Sequence, residues 1–450
     1  MTAPLSRLTD HSLVRGELGY EQARRATMWN ARTPERFPDL IVRAGDAEDV
    51  IAAVALARSR GMKLAVRSGG HSWAGNHVRD GGMLLDLSAM SGASIDPLAM
   101  SASIEPGCPG TRLLRELAEH DLFFPGGHCN GVALGGYLLQ GGFGWNGRVH
   151  GPACESVTAI EVVTASGELL LADAEHHSDL YWAARGSGPG FFGVVTRFHV
   201  RVYPRPKVTA MGIYTYPVEL LEEVFTWVHE IGPLLARTME LMVLLHHDDQ
   251  GEIELAVTGP VLAASEAEAR EALAVLESCP VLERAKIALP NVPMTLEDMF
   301  AASAVIYPDG HRWVTDNMWT HAPIGELLPG LRRIADTLPG PPSHMLWMNW
   351  GTSPERPDMA YSVEDQTYIA CYAASTGPGS DAVNAAWSTE RMRELEPLAS
   401  GIQLADENLA RRPARFVSDE KLRRLDELRA AYDPDGMFHP WLGRPWEAQP

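Results

Sequence analysis

The sequence predicts an α+β protein with more than one domain. Its 450 residues exceed what one hydrophobic core usually organises, so two or more domains are expected. Hydrophobic residues make up 45% of the chain and charged residues 21%, which is the composition of a folded globular protein. Strand-like and helix-like segments alternate along the chain, and glycine turns follow several strands.

The first half shows the signals of short strands and one clear helix. Residues 45–61 place Asp46 as a candidate N-cap before apolar residues at helical spacing and end at Gly61, which predicts a helix. KLAVR and MLLDLS predict strands, and a further helix is expected near residues 111–120. TAIEVVTASGELL predicts two strands joined through Ser166-Gly167, and the alternating GVVTRFHVRVYP predicts another strand.

The second half alternates helical segments such as PVELLEEVFTWVHEIG with strand-like segments such as ELMVLLH, EIELAVTG, HMLWMNW and TYIACYA. This order predicts an antiparallel sheet covered by helices. The last segment, DEKLRRLDELRAAY, predicts a helix that stops at Asp433-Pro434. We expect one domain over residues 1–205, a second over 206–405, and a C-terminal segment over 406–450 that returns to the first.

The charge of the chain argues against two classes of partner. With 38 basic and 58 acidic side chains, the formal net charge of −20 repels nucleic acid and anionic membrane surfaces. The N-terminus lacks the apolar core of a secretory signal, so a cytoplasmic location is expected. The uncharged stretch from Leu122 to Gly147 is too rich in glycine to span a membrane and is predicted to be a buried loop.

Metal and disulfide frameworks are not expected. The five cysteines are widely spaced and form no CxxC pair. The pairs His176-His177 and His246-His247 lack a third ligand at metal spacing, so both are interpreted as polar surface.

The segment RSGGHSWAG, residues 67–75, places glycines directly after a predicted strand. Backbone amides without side chains can approach a diphosphate there, although glycine turns beside a histidine are also common in loops. Together with HCNGVALGGYLLQGGFGWNGRVHG, DLYWAARGSGPGFFGVVTRF and YDPDGMF, the segment resembles the berberine-bridge-enzyme-like oxidases of the vanillyl-alcohol-oxidase and p-cresol methylhydroxylase flavoprotein superfamily.

This resemblance implies a p-cresol-methylhydroxylase-type FAD-binding domain of two subdomains, followed by a substrate domain. In the family, the histidine of the GGH turn is bonded to the 8α-methyl carbon of the flavin, a role that the resemblance assigns to His71. It also implies a set of cofactor-binding residues: Arg67, Ser68, Gly69, Gly70, Ser72, Val132, Gly135, Gly136, Gly141, Gly142, Gly193 and Val194.

Cys129 is the residue that distinguishes this chain within the resemblance. The doubly tethered members carry a cysteine three residues before a valine and six before a Gly-Gly pair, and Cys129, Val132 and Gly135-Gly136 keep that spacing. The resemblance therefore implies a second covalent bond, from Cys129 to the 6-carbon of the flavin. The alternative is a buried thiol, the usual state of cysteine.

Val132 lies where the family controls access of oxygen to the flavin. A small aliphatic residue there implies an oxidase, with molecular oxygen as acceptor, and not a dehydrogenase. The alternative is a β-branched residue that only fills the core.

The catalytic base of the family has no counterpart at its usual place. Many members carry a Tyr-x-Asn motif before the last helix, whereas this chain has Gly401 and Gln403 there. A chain without a base suits an amine substrate, whose own lone pair assists oxidation, and the branch that oxidises 6-hydroxynicotine-type amines also lacks the tyrosine. The candidates for a substitute base are Glu364, Asp365, Tyr368, Tyr372, Asp406 and Glu407.

The sequence thus predicts an FAD-dependent oxidase that acts on a small or medium organic amine or alcohol, with hydrogen peroxide as product. Two alternatives stay open: a sugar or polyketide-type alcohol oxidase, and a flavin-loaded binding protein without turnover.

Overall fold

The computed structural model describes residue 8, residues 11–353 and residues 355–444 of the chain. In this part of the chain, a four-stranded, a five-stranded and a two-stranded sheet occupy the first half, and a large sheet packed with helices follows. The prediction of an α+β protein is confirmed.

A four-stranded sheet presents the glycine turn. Its strands, in spatial order, are Ser12–Val14, Leu40–Arg43, Met83–Asp86 and Leu64–Arg67. The last three run parallel, and the helix Ala47–Ser59 connects two of them. Its N-cap is Asp46, as predicted, whose carboxylate accepts a hydrogen bond from the Asp49 amide. Since strand Leu64–Arg67 ends at the glycine turn, the carboxyl edge of this sheet positions His71.

A five-stranded antiparallel sheet lies beside it. Its strands, in spatial order, are Ala93–Asp96, Ser101–Ile104, Val194–Arg201, Val157–Val163 and Leu169–Asp173. The predicted turn at Ser166-Gly167 is confirmed, and Gly167 has a φ of 87°, which favours glycine. The α-helices of this half are Tyr20–Ala26, Ala47–Ser59, Gly110–Ala118, Leu134–Leu139, Gly147–His150 and Ser178–Ala184.

The prediction of a loop from Leu122 to Gly147 is wrong in part. The segment begins with the short strand Leu122–Phe123, which pairs with Tyr203–Pro204, and contains the helix Leu134–Leu139. The helix forms although it contains Gly135 and Gly136, because its apolar side chains Leu134 and Leu138 are fully buried in the core.

The large sheet has seven strands, and every pair of neighbours is antiparallel. In spatial order the strands are Ile287–Pro293, Val208–Pro217, Ile253–Ala263, Leu241–His247, His344–Asn349, Thr367–Ser375 and Arg312–Thr320. Helices Leu221–Ile231, Glu266–Ala274, Ile324–Asp336 and Asp381–Leu395 cover one face and share a hydrophobic core with it. Helix Leu296–Ile306 lies on the opposite side.

Along each strand of the large sheet, successive side chains point to opposite faces of the sheet. In strand Thr367–Ser375, Ile369 and Cys371 point into the helix-covered core, whereas Tyr368 and Tyr372 point to the other face. That second face is the wall of the cavity described below.

The C-terminal segment packs against the first half of the chain. Helix Asp419–Tyr432 stops before Asp433-Pro434, as predicted, and contacts helix Ser178–Ala184. Beyond it, the Leu64 amide donates to the Met437 carbonyl at 2.8 Å, which adds this segment to the edge of the four-stranded sheet.

No helix in the described part of the chain is both long and apolar enough to cross a bilayer.

Candidate active site

A cavity of about 650 Å³ lies between the glycine turn, the segment from 127 to 136, and the face of the seven-stranded sheet that carries Tyr368 and Tyr372. The first half of the chain therefore forms one wall and the large sheet forms the other. A volume of this size is in the range of small-molecule and cofactor sites.

The glycine turn requires glycine for two separate reasons. Gly70 has a φ of 74°, and a Cβ there would stand 2.0 Å from the Thr27 carbonyl oxygen. A Cβ on Gly69 would stand 2.8 Å from the backbone nitrogen of Ala133. The turn is thus held directly against the segment that carries Cys129, which the sequence alone did not show.

His71 lies in this turn and lines the cavity. Its ring stacks on Trp29, with 5.2 Å between the ring centroids, and the ring nitrogen faces the backbone of Gly131. Burial, with the nearby charge of Arg67, lowers the pKa of His71 to about 4. The imidazole is therefore neutral at physiological pH, which is its nucleophilic form.

Cys129 and Val132 line the same cavity as His71. Burial, together with the negative charge of Asp406, raises the pKa of the Cys129 thiol to about 12. The thiol is thus protonated near neutral pH, and the thiolate is the reactive form.

Most of the other cofactor-binding candidates also line the cavity: Arg67, Ser68, Gly69, Gly70, Ser72, Gly135, Gly136, Gly142 and Gly193. A Cβ on Gly135 would meet the Ser68 hydroxyl at 2.4 Å, whereas one on Gly136 would meet no atom within 4 Å. Gly141 and Val194 lie outside the lining, because Gly141 packs on Tyr361 and Val194 is fully buried in the core.

The cavity offers polar groups to a bound cofactor. Four buried side-chain atoms that belong to its lining residues have no hydrogen-bond partner within the described residues: Asn76 Oδ1, His77 Nε2, Trp145 Nε1 and His439 Nε2. Such orphaned groups are costly unless a ligand satisfies them. Together with the side-chain-free backbone at Gly136, they fit an elongated cofactor with polar edges.

The structure separates the candidates for a catalytic base. Tyr368, Tyr372 and Asp406 line the cavity. Glu364 lies outside the lining and is held by the Trp350 indole, the Ser353 amide and an ion pair with Arg356. Asp365 also lies outside it, bound to His321 and Ser400.

Glu407, the last candidate base, and Gly401 and Gln403, at the position of the Tyr-x-Asn motif, lie in different surroundings. Glu407 accepts hydrogen bonds from Asn76 and from the Leu409 amide. Gln403 lines the cavity, whereas Gly401 pairs with the backbone of Trp319.

Sequence reasoning missed several residues of the site. Trp29, Trp73 and Tyr307 form an aromatic group beside His71 and Tyr372. His128 Nε2 lies 2.9 Å from a carboxylate oxygen of the buried Glu240, which directly precedes strand Leu241–His247 of the large sheet. Trp73 and His128 lie within the quoted segments RSGGHSWAG and HCNGVALGG, but their contacts depend on the tertiary fold. No local motif marks Trp29 or Tyr307.

The described residues contain no group of three or more His, Cys, Asp and Glu side chains that could hold a metal ion.

Comparison with known proteins gives consistent results. A family profile described as an FAD binding domain matches residues 38–173. The FAD-linked oxidoreductase nodO of Hypoxylon pulicicidum is 33% identical over 431 residues, which cover 93% of this chain and 94% of the relative.

Solved structures agree with this fold. The 6-hydroxy-D-nicotine oxidase of Arthrobacter nicotinovorans has a TM-score of 0.86 at 24% identity, covering 98% of this chain and 99% of that one. The BBE-like 1 protein of Physcomitrella patens has a TM-score of 0.83 at 17% identity, covering 97% of both chains.

The fold and the cavity are those of a flavoprotein. The chain belongs to the FAD-linked oxidoreductases, and it shares its fold with 6-hydroxy-D-nicotine oxidase and with the BBE-like 1 protein. It is therefore an enzyme that binds FAD, as the sequence predicted.

Proposed function

We propose that this enzyme is an oxidase that removes two electrons from an apolar organic molecule bearing an alcohol or amine group. The observation that carries the proposal is one shared cavity, in which the His71 turn and the Cys129 segment face the side of the large sheet that carries Tyr368 and Tyr372. A cofactor held by the first wall and a substrate held by the second would be in direct contact.

The residues of the first wall fit FAD. His71 would hold the 8α-methyl carbon and Cys129 the 6-carbon, with the backbone of the glycine turn and of Gly135-Gly136 against the cofactor. When bound, FAD supplies the capacity to accept two electrons. The neutral imidazole of His71 supports its role as the first tether.

The second wall indicates the character of the substrate. It is formed largely by apolar side chains, among them Met211, Met242, Leu244, Met299, Leu346 and Met348. These residues exclude water and favour an apolar ring or chain. A polyketide-type alcohol is consistent with this wall, whereas a sugar would leave most of its hydroxyl groups without partners. The similarity to 6-hydroxy-D-nicotine oxidase supports an amine of comparable apolar character.

Molecular oxygen is the proposed electron acceptor and hydrogen peroxide the product. The small side chain of Val132 in the cavity wall supports this assignment.

An anaerobic reduction screen tests the proposed function. Purified yellow protein is mixed with apolar alcohols and amines without oxygen, and the flavin absorbance is followed. Bleaching by one class, then one equivalent of hydrogen peroxide after air is admitted, is the expected result. Persistent colour with tight binding of the same compounds would support the alternative of a flavin-loaded binding protein.

A further inference from the structure

Asp406 is the centre of a hydrogen-bonded group in the cavity. One carboxylate oxygen, Oδ2, accepts hydrogen bonds from the hydroxyl groups of Tyr368 and of Tyr372, the latter at 2.9 Å. The other oxygen accepts the indole N–H of Trp73 at 2.6 Å. The two tyrosines come from the large sheet and the tryptophan from the chain just after His71, so Asp406 lies where the two walls of the cavity meet.

The fold holds this carboxylate in place from behind. The side-chain amide of Asn317 donates to the carbonyl groups of Gln403 and Asp406 at 3.1 and 2.8 Å, and its oxygen accepts the Gln403 amide at 2.8 Å. Asn317 is fully buried in the edge strand of the large sheet. Segment 403–406, which follows the position of the missing family tyrosine, is therefore fixed against the sheet.

No cation forms a salt bridge with Asp406 among the residues that the structure describes. The titratable groups that face it are the phenols Tyr307, Tyr368 and Tyr372, the thiol of Cys129 and, at longer range, His128. A buried carboxylate that is stabilised by hydrogen bonds from phenols, and not by a cation, is costly to maintain and indicates a function.

We propose that Asp406 is the terminal proton acceptor of the reaction, and that it receives through Tyr368 or Tyr372 the proton lost by a substrate hydroxyl group. This inference rests on the proposed function and narrows its substrate class to alcohols.

The substrate O–H proton passes to the phenol oxygen while the proton of that phenol passes to Oδ2 of Asp406. FAD, when bound, would supply the two-electron acceptor for the C–H hydrogen and its electron pair, so that the C–O bond of the substrate would become a C=O bond. The carboxylic acid of Asp406 must then lose its proton before the next turnover.

The pH dependence of this step has a definite sign. Burial raises the pKa of Asp406 above the ordinary aspartate range, although the hydrogen bonds from Tyr368, Tyr372 and Trp73 oppose the shift. The ionised form accepts the proton, so the rate of flavin reduction rises as pH increases through this raised pKa. Burial also raises the pKa values of Tyr368 and Tyr372, so both phenols stay protonated and can act as relays.

The main test uses Asp406→Asn, which retains the size of the side chain but cannot accept a proton. With an alcohol identified by the reduction screen, we expect the rate of anaerobic flavin reduction to fall by about 10²- to 10⁴-fold, the usual contribution of a positioned base. With an amine that lacks a hydroxyl group, the loss should be less than tenfold. Asp365→Asn is the matched control, since this carboxylate lies outside the cavity and should leave both rates within twofold.

Tyr368→Phe and Tyr372→Phe identify the relay. The variant that removes the intermediate phenol should reduce alcohol oxidation nearly as much as Asp406→Asn, and the other variant should have a smaller effect.

A second readout does not depend on turnover. Because the pKa of Asp406 is higher in the folded protein than in the unfolded chain, its contribution to stability is present below the unfolded value and is lost as pH rises through the folded value. The melting temperature of the wild type should therefore fall relative to that of Asp406→Asn over the pH interval in which alcohol-dependent reduction of the wild type accelerates.

The outcomes separate the two proposals. Reduction by an alcohol at similar rates in the wild type and Asp406→Asn would overturn the role of Asp406 and leave the proposed function intact. A stability difference between the wild type and Asp406→Asn that stays constant across pH, together with the same pH profile of flavin reduction in both proteins, would also overturn this role. If no alcohol or amine reduces the wild type, the proposed function fails, and the inference fails with it.

Discussion

At the scale of single residues, the two candidate tethers have opposite protonation properties. The lowered pKa of His71 leaves its imidazole neutral, whereas the raised pKa of Cys129 leaves its thiol protonated near neutral pH. Because only the neutral imidazole and the thiolate are nucleophilic, the two bonds to a flavin should not form at equal rates.

The double tether gives the first prediction. After denaturation the flavin should stay on the protein, and digestion should yield the His71 and Cys129 peptides joined through one flavin. His71→Ala and Cys129→Ala should each leave one bond, and the double variant should release FAD into the acid supernatant. When apoprotein is mixed with FAD, the bond to His71 should appear first, and higher pH should speed the bond to Cys129.

Mass spectrometry of the flavin peptides over time measures this order. Cys108→Ser is the control, because Cys108 is a fully buried thiol outside the cavity lining and its loss should leave both bonds. Release of free FAD from the unmodified protein by acid would refute covalent attachment, and a flavin peptide with His71 alone would make Cys129 a buried thiol.

Val132 gives the second prediction. Val132→Leu should slow the reoxidation of flavin by air at least tenfold, because the longer side chain narrows access from the cavity wall, while reduction by substrate changes less than twofold. Stopped-flow absorbance measures the two half-reactions separately. Equal effects on both would show that Val132 only packs the site.

At the scale of elements, the strands of the large sheet separate the packed core from the wall of the cavity. In strand His344–Asn349, Met345 is fully buried against the helices, whereas its neighbour Leu346 lines the cavity. Adjacent residues of one strand therefore serve different purposes.

This alternation gives the third prediction. Met345→Ala should lower the free energy of unfolding by about 2–5 kcal/mol, as expected for a large side chain removed from a packed core. Leu346→Ala should cost less than about 1.5 kcal/mol, and its main effect should be a several-fold rise in KM. Urea unfolding and steady-state kinetics of the two variants make the comparison, and equal losses of stability would contradict it.

The sequence predicted these elements well because their signals are local. The helix after Asp46, the hairpin at Ser166-Gly167 and the strands of the large sheet each follow from capping, turn residues or alternation. The helix Leu134–Leu139 was missed because its two glycines resemble a turn, and only burial of its leucines stabilises it.

The candidate site was predicted less completely. The residues around His71 and Cys129 belong to recognisable sequence motifs. Asp406, in contrast, binds Tyr372 and Tyr368, which precede it by 34 and 38 residues, and Trp73, which precedes it by 333 residues. No pattern along the chain specifies such contacts. The sequence therefore indicated that the usual tyrosine is absent, but it did not show which side chains face the cavity in its place.

At the scale of the whole molecule, Arg148 connects the first half of the chain to the large sheet. Its buried guanidinium donates to the carbonyl groups of Trp350, Ala236 and Met239 at 2.6, 2.8 and 2.5 Å. Three carbonyl groups at the ends of two strands thus depend on one side chain from the first half.

The fourth prediction concerns this connection. Arg148→Ala should lower the free energy of unfolding by about 3 kcal/mol or more, because it leaves buried carbonyl groups without donors. Arg112→Ala, which breaks an exposed ion pair with Glu116, should leave the free energy of unfolding nearly unchanged. Chemical denaturation followed by flavin and tryptophan fluorescence measures both, and similar small losses would show that the connection contributes little.

The alternation of the large sheet also affects how new specificities can arise. Residues such as Met242, Leu244 and Leu346 touch the cavity but do not belong to the helix-covered core, so we expect a bound molecule to constrain their identities more than folding does. Related genes could therefore diverge in substrate by mutation at every second position while the intervening residues stay unchanged. A library randomised only at these positions should retain a high fraction of folded, yellow clones, which makes this sheet a favourable starting point for directed evolution.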